Sequence, residues 1–305
     1  MTTVSHRPTP AQSTAEDAIT YGAIHLDVSD ADRSIGFWGG LIGLQLLSRD
    51  ADTVRLGVED RELLVLHPGA TPGSSRGHSG LYHLAIHLPS EADFARVLLR
   101  IGAAGYPQAP TDHIMHWATY LDDPDGIGLE LSFETLDRFG HYSDVGGRPA
   151  IVDSDGALRR PTDHLDLEQV ISYLGDRNLE QPLPAQTRVG HIHLHVADIP
   201  ASLAYYGGVI GFTPNETFPF GMADMQAGGS FPHRLAMNIW QGEGAPQRPA
   251  GTVGLRHFEL QLSSEADLDA AVRRLSEAPA AVSMEHAEGL LTRDPSGNAL
   301  VLSAR

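Results

Sequence analysis

Sixteen histidines and no cysteine define the chemistry open to this 305-residue chain. Without thiols there are no disulfides, thiolate zinc sites, iron–sulfur clusters or cysteine nucleophiles, so a metal must be held by imidazole, carboxylate or water. Three imidazoles, His191, His193 and His195, alternate along the run HIHLHV. The two-residue period of a strand puts all three on one face. Such a row fills a dry core poorly and suits a polar pocket. Asp and Glu number 39 against 21 Lys and Arg, a net charge of −18. The acids show no special spacing and read as solubility. The balance also argues against a nucleic-acid or anionic-membrane partner.

The elements that must position these groups are repeated. VSDADRSIGFWGGLIGL, from Val28 to Leu44, aligns without a gap on VADIPASLAYYGGVIGF, from Val196 to Phe212. GLYHLAIHLPSEAD from Gly80 matches GLRHFELQLSSEAD from Gly254, and Asp123-Pro124-Asp125-Gly126 matches Asp294-Pro295-Ser296-Gly297. The chain is thus A-B-A′-B′, with units near 20–70, 80–135, 187–245 and 251–305. Each opens on an alternating strand, continues in a helix of roughly three turns ended by Gly (Ala201 to Val209 in the third), and finishes in short strands. DPDG and DPSG mark the last turn, Pro presetting φ and Gly accepting positive φ. Residues 136–186 carry Gly146, Gly147, Pro149, Pro161, Pro182 and Pro184 and read as a linker, with a short helix around Leu165–Leu174. Residues 1–19 read as a flexible tail, 20–135 as an N-terminal domain of the first two units and 187–305 as a C-terminal domain of the last two. No apolar run reaches membrane-span length and the start lacks a secretion signal, so a cytoplasmic location is expected.

Four βαβββ units, with H-x-x-x-x-V/L on the first strand and DPDGxxxE leading into the last, resemble the vicinal oxygen chelate superfamily of glyoxalases, bleomycin-resistance proteins and extradiol dioxygenases. GLYHLAIHLPS, the Asp112-His113 pair before Tyr120, and GHIHLHVAD are most similar to its bacterial catechol 2,3-dioxygenase branch. The resemblance implies an α+β fold in which the units pair into two cupped mixed β-sheet barrels, with ligands on first and last strands. It places the first-strand ligand position at Ala23, His83, His191 and His257, and the last-strand acid at Glu130 in unit 2 but Val301 in unit 4. Units 1 and 2 together offer only His83 and Glu130; units 3 and 4 offer His191 and His257 without an acid. Units 2 and 3 give His83, His191 and Glu130, a two-His-one-carboxylate set with open positions for substrate and oxygen on non-haem Fe(II), or on Mn(II), whose preferences overlap. The expectation is therefore that the central units form the active cup.

The resemblance also implies catalytic roles for His233, His113 and Tyr120. His233 would accept a substrate proton and return one later; His113 and Tyr120 would donate hydrogen bonds to developing charge. The matching positions in unit 4 are Met284 and Leu291, so that unit reads as silent. His257 holds a ligand position in a module without the acid and reads as a relic or structural residue. His25, His87 and His116 are expected to be supporting or structural, His141 and His164 to cap the site from the linker, and Trp117 and Trp240 to line an aromatic pocket. Phe37, Trp38, Tyr205 and Tyr206 are expected in the core.

The activity implied is oxidative ring opening in aromatic-hydrocarbon catabolism, with a small aromatic diol and O2 as partners, and the sequence leaves a homo-oligomer open. A glyoxalase-type isomerase or lyase would use two carboxylates among four ligands, and only one is in register. A metal-free binding or resistance protein would require the His/Glu set to be coincidental.

Overall fold

The pairing of the four opening strands decides the architecture. In the computed structural model, which describes residues 16–73, 76–176, 178–278 and 283–305, Ile19–Val28 runs antiparallel to Gly254–Leu262, and Gly80–His87 antiparallel to Arg188–His195. The first unit therefore joins the fourth and the second joins the third. Within each unit the opening strand lies parallel to a later one: Arg61–Pro68, Gly128–Glu134, Leu235–Asn238 and Ala299–Ala304. These pairings build an eight-stranded outer sheet from units 1 and 4 and a nine-stranded central sheet from units 2 and 3 with one short strand from the segment between them. Both are cupped mixed sheets, as expected, and neither closes edge to edge. In the outer sheet Gln45–Arg49 and Ser283–His286 stand at opposite ends of the order and do not meet. The expected tail lies outside the described residues except for its last four, 16–19. Among the described residues no helix is long and apolar enough to cross a membrane.

The junctions are apolar on their inner faces. Ile24, Leu26, Phe258 and Leu260 zip one, and Leu84, Ile86, Ile192 and Leu194 the other, all at most 1% exposed. Each such side chain contributes about 1.5–3 kcal/mol by burial. The helices tie the remaining neighbours together. Asp30 and Asp198 cap the first turns of units 1 and 3, accepting from Arg33 N and Ala201 N at 2.7 Å each. Both helices then widen into a π-helical turn, Gly36–Ile42 and Tyr206–Ile210, ended by Gly43 (φ 99°) and Gly211 (φ 117°). Tyr206 is buried and donates its hydroxyl to Asp294 Oδ2 at 2.9 Å, and Trp38 Nε1 lies 3.4 Å from Asp123 Oδ2. The paired aromatics of units 1 and 3 thus grip the Asp-Pro turns of units 2 and 4. Those turns form as expected: Asp123 Oδ1 accepts from Asp125 N and Ile127 N, with Gly126 at φ 81°. Burial pushes the Asp123 carboxyl up to about 6.

Residues 136–186 hold more than a linker. Phe139–Asp144, Pro149–Asp153 and Leu158–Arg159 form a three-stranded sheet. Asp163–His164 then adds an edge to the central sheet beside Ala109–Asp112. The short helix follows at Leu167–Ser172, capped by Asp166.

Candidate metal centre and its cavity

His83 and His191 enter the central cup from the two antiparallel opening strands, where His193 is the Cα partner of His83. The pairing is interrupted by register shifts between Val189 and His191 and between His193 and Leu194. Such bulges re-aim side chains. Glu130 enters from Gly128–Glu134, as the Cα partner of Ala85. All three residues are buried, and their ligand atoms lie within 4.8 Å of one another. His83 Nε2 and His191 Nε2 each stand 3.1 Å from Glu130 Oε2. Ligands at about 2.1 Å from one ion would be spaced roughly 3 Å apart.

The protonation of this cluster follows from its outer neighbours. Glu134 is held by Arg188 Nη2 at 2.6 Å and Arg234 Nη1 at 2.7 Å. Burial pushes its carboxyl up, but the bond from His87 and the two arginines more than reverse this, leaving it ionised far below its usual range. A carboxylate only accepts, so His87 donates Nδ1–H to Glu134 Oε1 at 2.8 Å. Burial lowers His87 to about 4, so its Nε2 keeps a lone pair and accepts Nδ1–H of His191 at 3.0 Å. Burial also holds His191 well below its usual value. Its Nε2 lone pair therefore faces a carboxylate oxygen. His83 Nε2 faces the same oxygen, buried and with no hydrogen-bond partner. The His191 lone pair and a carboxylate oxygen aimed at one point repel unless a cation lies between them, and the unpartnered His83 Nε2 stands at the same point. The donor set fits a first-row divalent metal, and the Glu134–His87 chain is the outer support that fixes a ligand tautomer. Gly190 makes this chain possible: a Cβ there would lie 2.0 Å from His87 Cδ2.

A cavity of about 390 Å³ opens on the cluster, with His83, His113, His116, Tyr120, His193 and His233 in its wall. His113 Nδ1 lies 2.8 Å from the Pro161 carbonyl, which can only accept, so the proton sits on Nδ1. Burial and His116 lower His113 to about 4, so its Nε2 accepts the Tyr120 hydroxyl at 2.9 Å. Burial, then Glu130, raises Tyr120 well above 10 and keeps that proton in place. His233 Nδ1 lies 3.1 Å from Asp224 Oδ2. Asp224 is fully buried and also accepts from Tyr142 Oη at 3.0 Å, Asn215 Nδ2 at 3.0 Å and Glu216 N at 2.9 Å. The pairing fixes the ring with Nδ1 toward Asp224. The structure thus gathers all six residues singled out from the sequence.

Other placements differ from expectation. His116 Nε2 lies 3.0 Å from Glu130 Oε1, but neither of its ring nitrogens completes a hydrogen bond, so it belongs to the inner wall rather than to the support. Its position four residues before Tyr120 on one strand, hence on the same face, is the signal that could have found it. His87 shares a face with His83 by the same rule. Asp224 carried no such signal, since its partners come from the neighbouring strand at Asn215 and Glu216, from His233 and from Tyr142 in the segment 139–144. The linker does wall the site, but through Tyr142, Pro149, Ile151, Pro161 and Thr162; His141 and His164 are not in the wall. Trp240 lines the cavity, whereas Trp117 is buried against Phe94, Phe133 and Tyr173. Phe37, Trp38, Tyr205 and Tyr206 are in the core as expected.

Comparison with known proteins agrees with this geometry. The family model described as Glyoxalase/Bleomycin resistance protein/Dioxygenase superfamily matches residues 20–131 and 188–302. The chain belongs to that superfamily. A curated relative from Bacillus subtilis (strain 168), named catechol-2,3-dioxygenase, is 30% identical over 284 residues, 92% of this chain and 95% of the relative. Among solved structures, a putative dioxygenase from Bacillus subtilis superposes with TM-score 0.61 at 13% identity, covering 95% of this chain and 86% of its own. Glyoxalase I from Zea mays superposes with TM-score 0.54 at 15% identity, covering 94% and 92%. The solved structures share the fold.

Proposed function

We propose that the protein is an Fe(II)-dependent extradiol ring-cleavage dioxygenase that opens a catechol-like aromatic diol with O2. The observation that carries this reading is the convergence of His83 Nε2, His191 Nε2 and Glu130 Oε2 on one point beneath a cavity walled by acid–base groups. When bound there, Fe(II) supplies acidification of the chelated diol and a path for ring electrons to dioxygen. Both oxygen atoms enter the product as the ring opens beside the diol, so no external reductant is needed. The 30% identical relative named catechol-2,3-dioxygenase supports the same reading.

The chain's own groups take complementary parts. His233, with Nδ1–H turned to Asp224, presents Nε2 to accept a diol proton and deliver it later. Tyr120 donates to His113, which leaves its oxygen lone pairs for the second diol hydroxyl. Phe218, Phe220, Met222 and Trp240 offer an apolar face for the ring, and among the described residues the wall carries no Arg or Lys, so the favoured substrate is an uncharged diol. The cluster holds one acid among the described residues, where a glyoxalase-type site would use two. The test is colour development from catechol under air with iron-loaded protein. Loss in Glu130→Ala and His83→Ala is expected; activity surviving both substitutions would refute the assignment.

A further inference from the structure

The outer cup shows the same inventory in a shifted arrangement. Glu130 of the central cup is the Cα partner of Ala85; in the outer cup the corresponding pair is Val301 and Glu259. The acid absent from the last strand of unit 4 has thus crossed to the neighbouring strand, on the same face. A similar exchange affects the first unit. Ala23 occupies the ligand position, and His25, two residues on and therefore on the same face, is the Cα partner of His257. The expectation that unit 4 lacks a carboxylate holds for position 301 but not for the cup.

We propose that His25, His257 and Glu259 form a second, off-register binding site for a divalent first-row transition cation of the Zn²⁺ class. One ligand atom from each lies within 4.8 Å of the other two. His25 Nε2 and Glu259 Oε1 are 3.1 Å apart. Donors about 2.1 Å from one tetrahedral ion stand roughly 3.4 Å apart, so the widest pair must close by about 1.4 Å at most. The donors are supported from behind. His67 Nε2 lies 3.1 Å from His25 Nδ1, and Ala23 N donates to Glu259 Oε2 at 3.0 Å, turning Oε1 inward. Gly22 gives the carboxylate its space, since a Cβ there would lie 2.3 Å from Oε2. The independent observation is His257. It is 5% exposed, and its Nε2 has no hydrogen-bond partner. An orphaned lone pair is costly unless something occupies it. Two imidazoles and one carboxylate suit Zn²⁺ with one position left over. Such an ion would tie the first quarter of the chain to the last.

The experiment is a metal count on the full chain. Protein stripped with chelator, saturated with Zn²⁺ and desalted should hold two equivalents. Glu259→Gln and His257→Gln should each hold one, and Glu130→Gln also one, with none in Glu130→Gln/His257→Gln. His257→Gln removes a nitrogen without a hydrogen-bond partner, and its metal-free melting temperature beside that of wild type checks that the fold survives. In the Glu130→Gln background, Zn²⁺ should raise the melting temperature, and this rise should vanish with His257→Gln. One equivalent in the wild type that is lost with Glu130→Gln but kept with His257→Gln would overturn the inference. So would two equivalents kept by both outer-cup variants. An equivalent that survives Glu130→Gln and is lost with His257→Gln would establish the outer site even if the proposed function failed.

Discussion

The central and outer cups are built on the same strand plan, yet they use their paired positions in opposite ways. In the central cup the acid stands on the last strand, and the ligand imidazoles occupy both first-strand positions. In the outer cup the acid stands on the first strand beside Val301, and Ala23 yields its place to His25. The central cup alone has the Glu134–His87 support, which strips the proton from His191 Nε2 and leaves a lone pair facing Glu130. The His25–Glu259 contact can instead be an ordinary hydrogen bond. The central cup also opens onto a cavity with His233, His113 and Tyr120 in its wall. The outer cup has Met284 and Leu291 where the latter groups would stand. Ligand atoms recur in both cups; a forced tautomer and an acid–base wall occur in one.

The comparison breaks most severely if the central ligands prove dispensable. Glu130→Ala and His83→Ala should each reduce ring cleavage by about 10³-fold or more, measured as initial rates of coloured product with iron supplied. His233→Ala should leave iron binding intact and lower kcat by about 10²–10⁴-fold, the range for losing a positioned acid–base group. Asp224→Asn probes the same step indirectly. It keeps the shape but relaxes the tautomer of His233, and a loss of about 10–100-fold with a shifted pH–rate profile is expected. The support can be sharpened with Gly190→Ala. Its Cβ must displace His87, so iron affinity, measured by competition with a chelator, should weaken by about 10–100-fold. The smallest effect is expected from His164→Ala, outside the cavity wall, where kcat/KM should stay within about threefold of wild type.

Much of this contrast was legible in the sequence because it rests on register. The superfamily resemblance, laid over the A-B-A′-B′ repeat, nominated His83, Glu130 and His191, and marked Val301, Leu291 and Met284 as the quieter half. Alternation explains why they share a side, since every second strand residue faces the same way. The same rule, pressed further, would have brought in His116, His87 and Glu259, each an even number of residues from a site position. Tyr142 and Asp224 were not legible. They meet through the three-stranded sheet of residues 139–159, whose short strands among turn residues resemble a linker in composition. The direction of the Tyr120 hydrogen bond was likewise beyond reach, because it depends on the carbonyl of Pro161 from a distant segment. Register can nominate a ligand; only packing decides which nitrogen carries the proton.

The central claim is that His83, His191 and Glu130 hold one metal ion beneath the cavity. Anomalous diffraction at the iron edge from crystals grown with Fe(II) under anaerobic conditions tests it most directly. A single strong peak within bonding distance of His83 Nε2, His191 Nε2 and a Glu130 carboxylate oxygen is the result predicted. No peak there, with His83 and His191 turned away from Glu130 to hydrogen-bond elsewhere, would contradict the account.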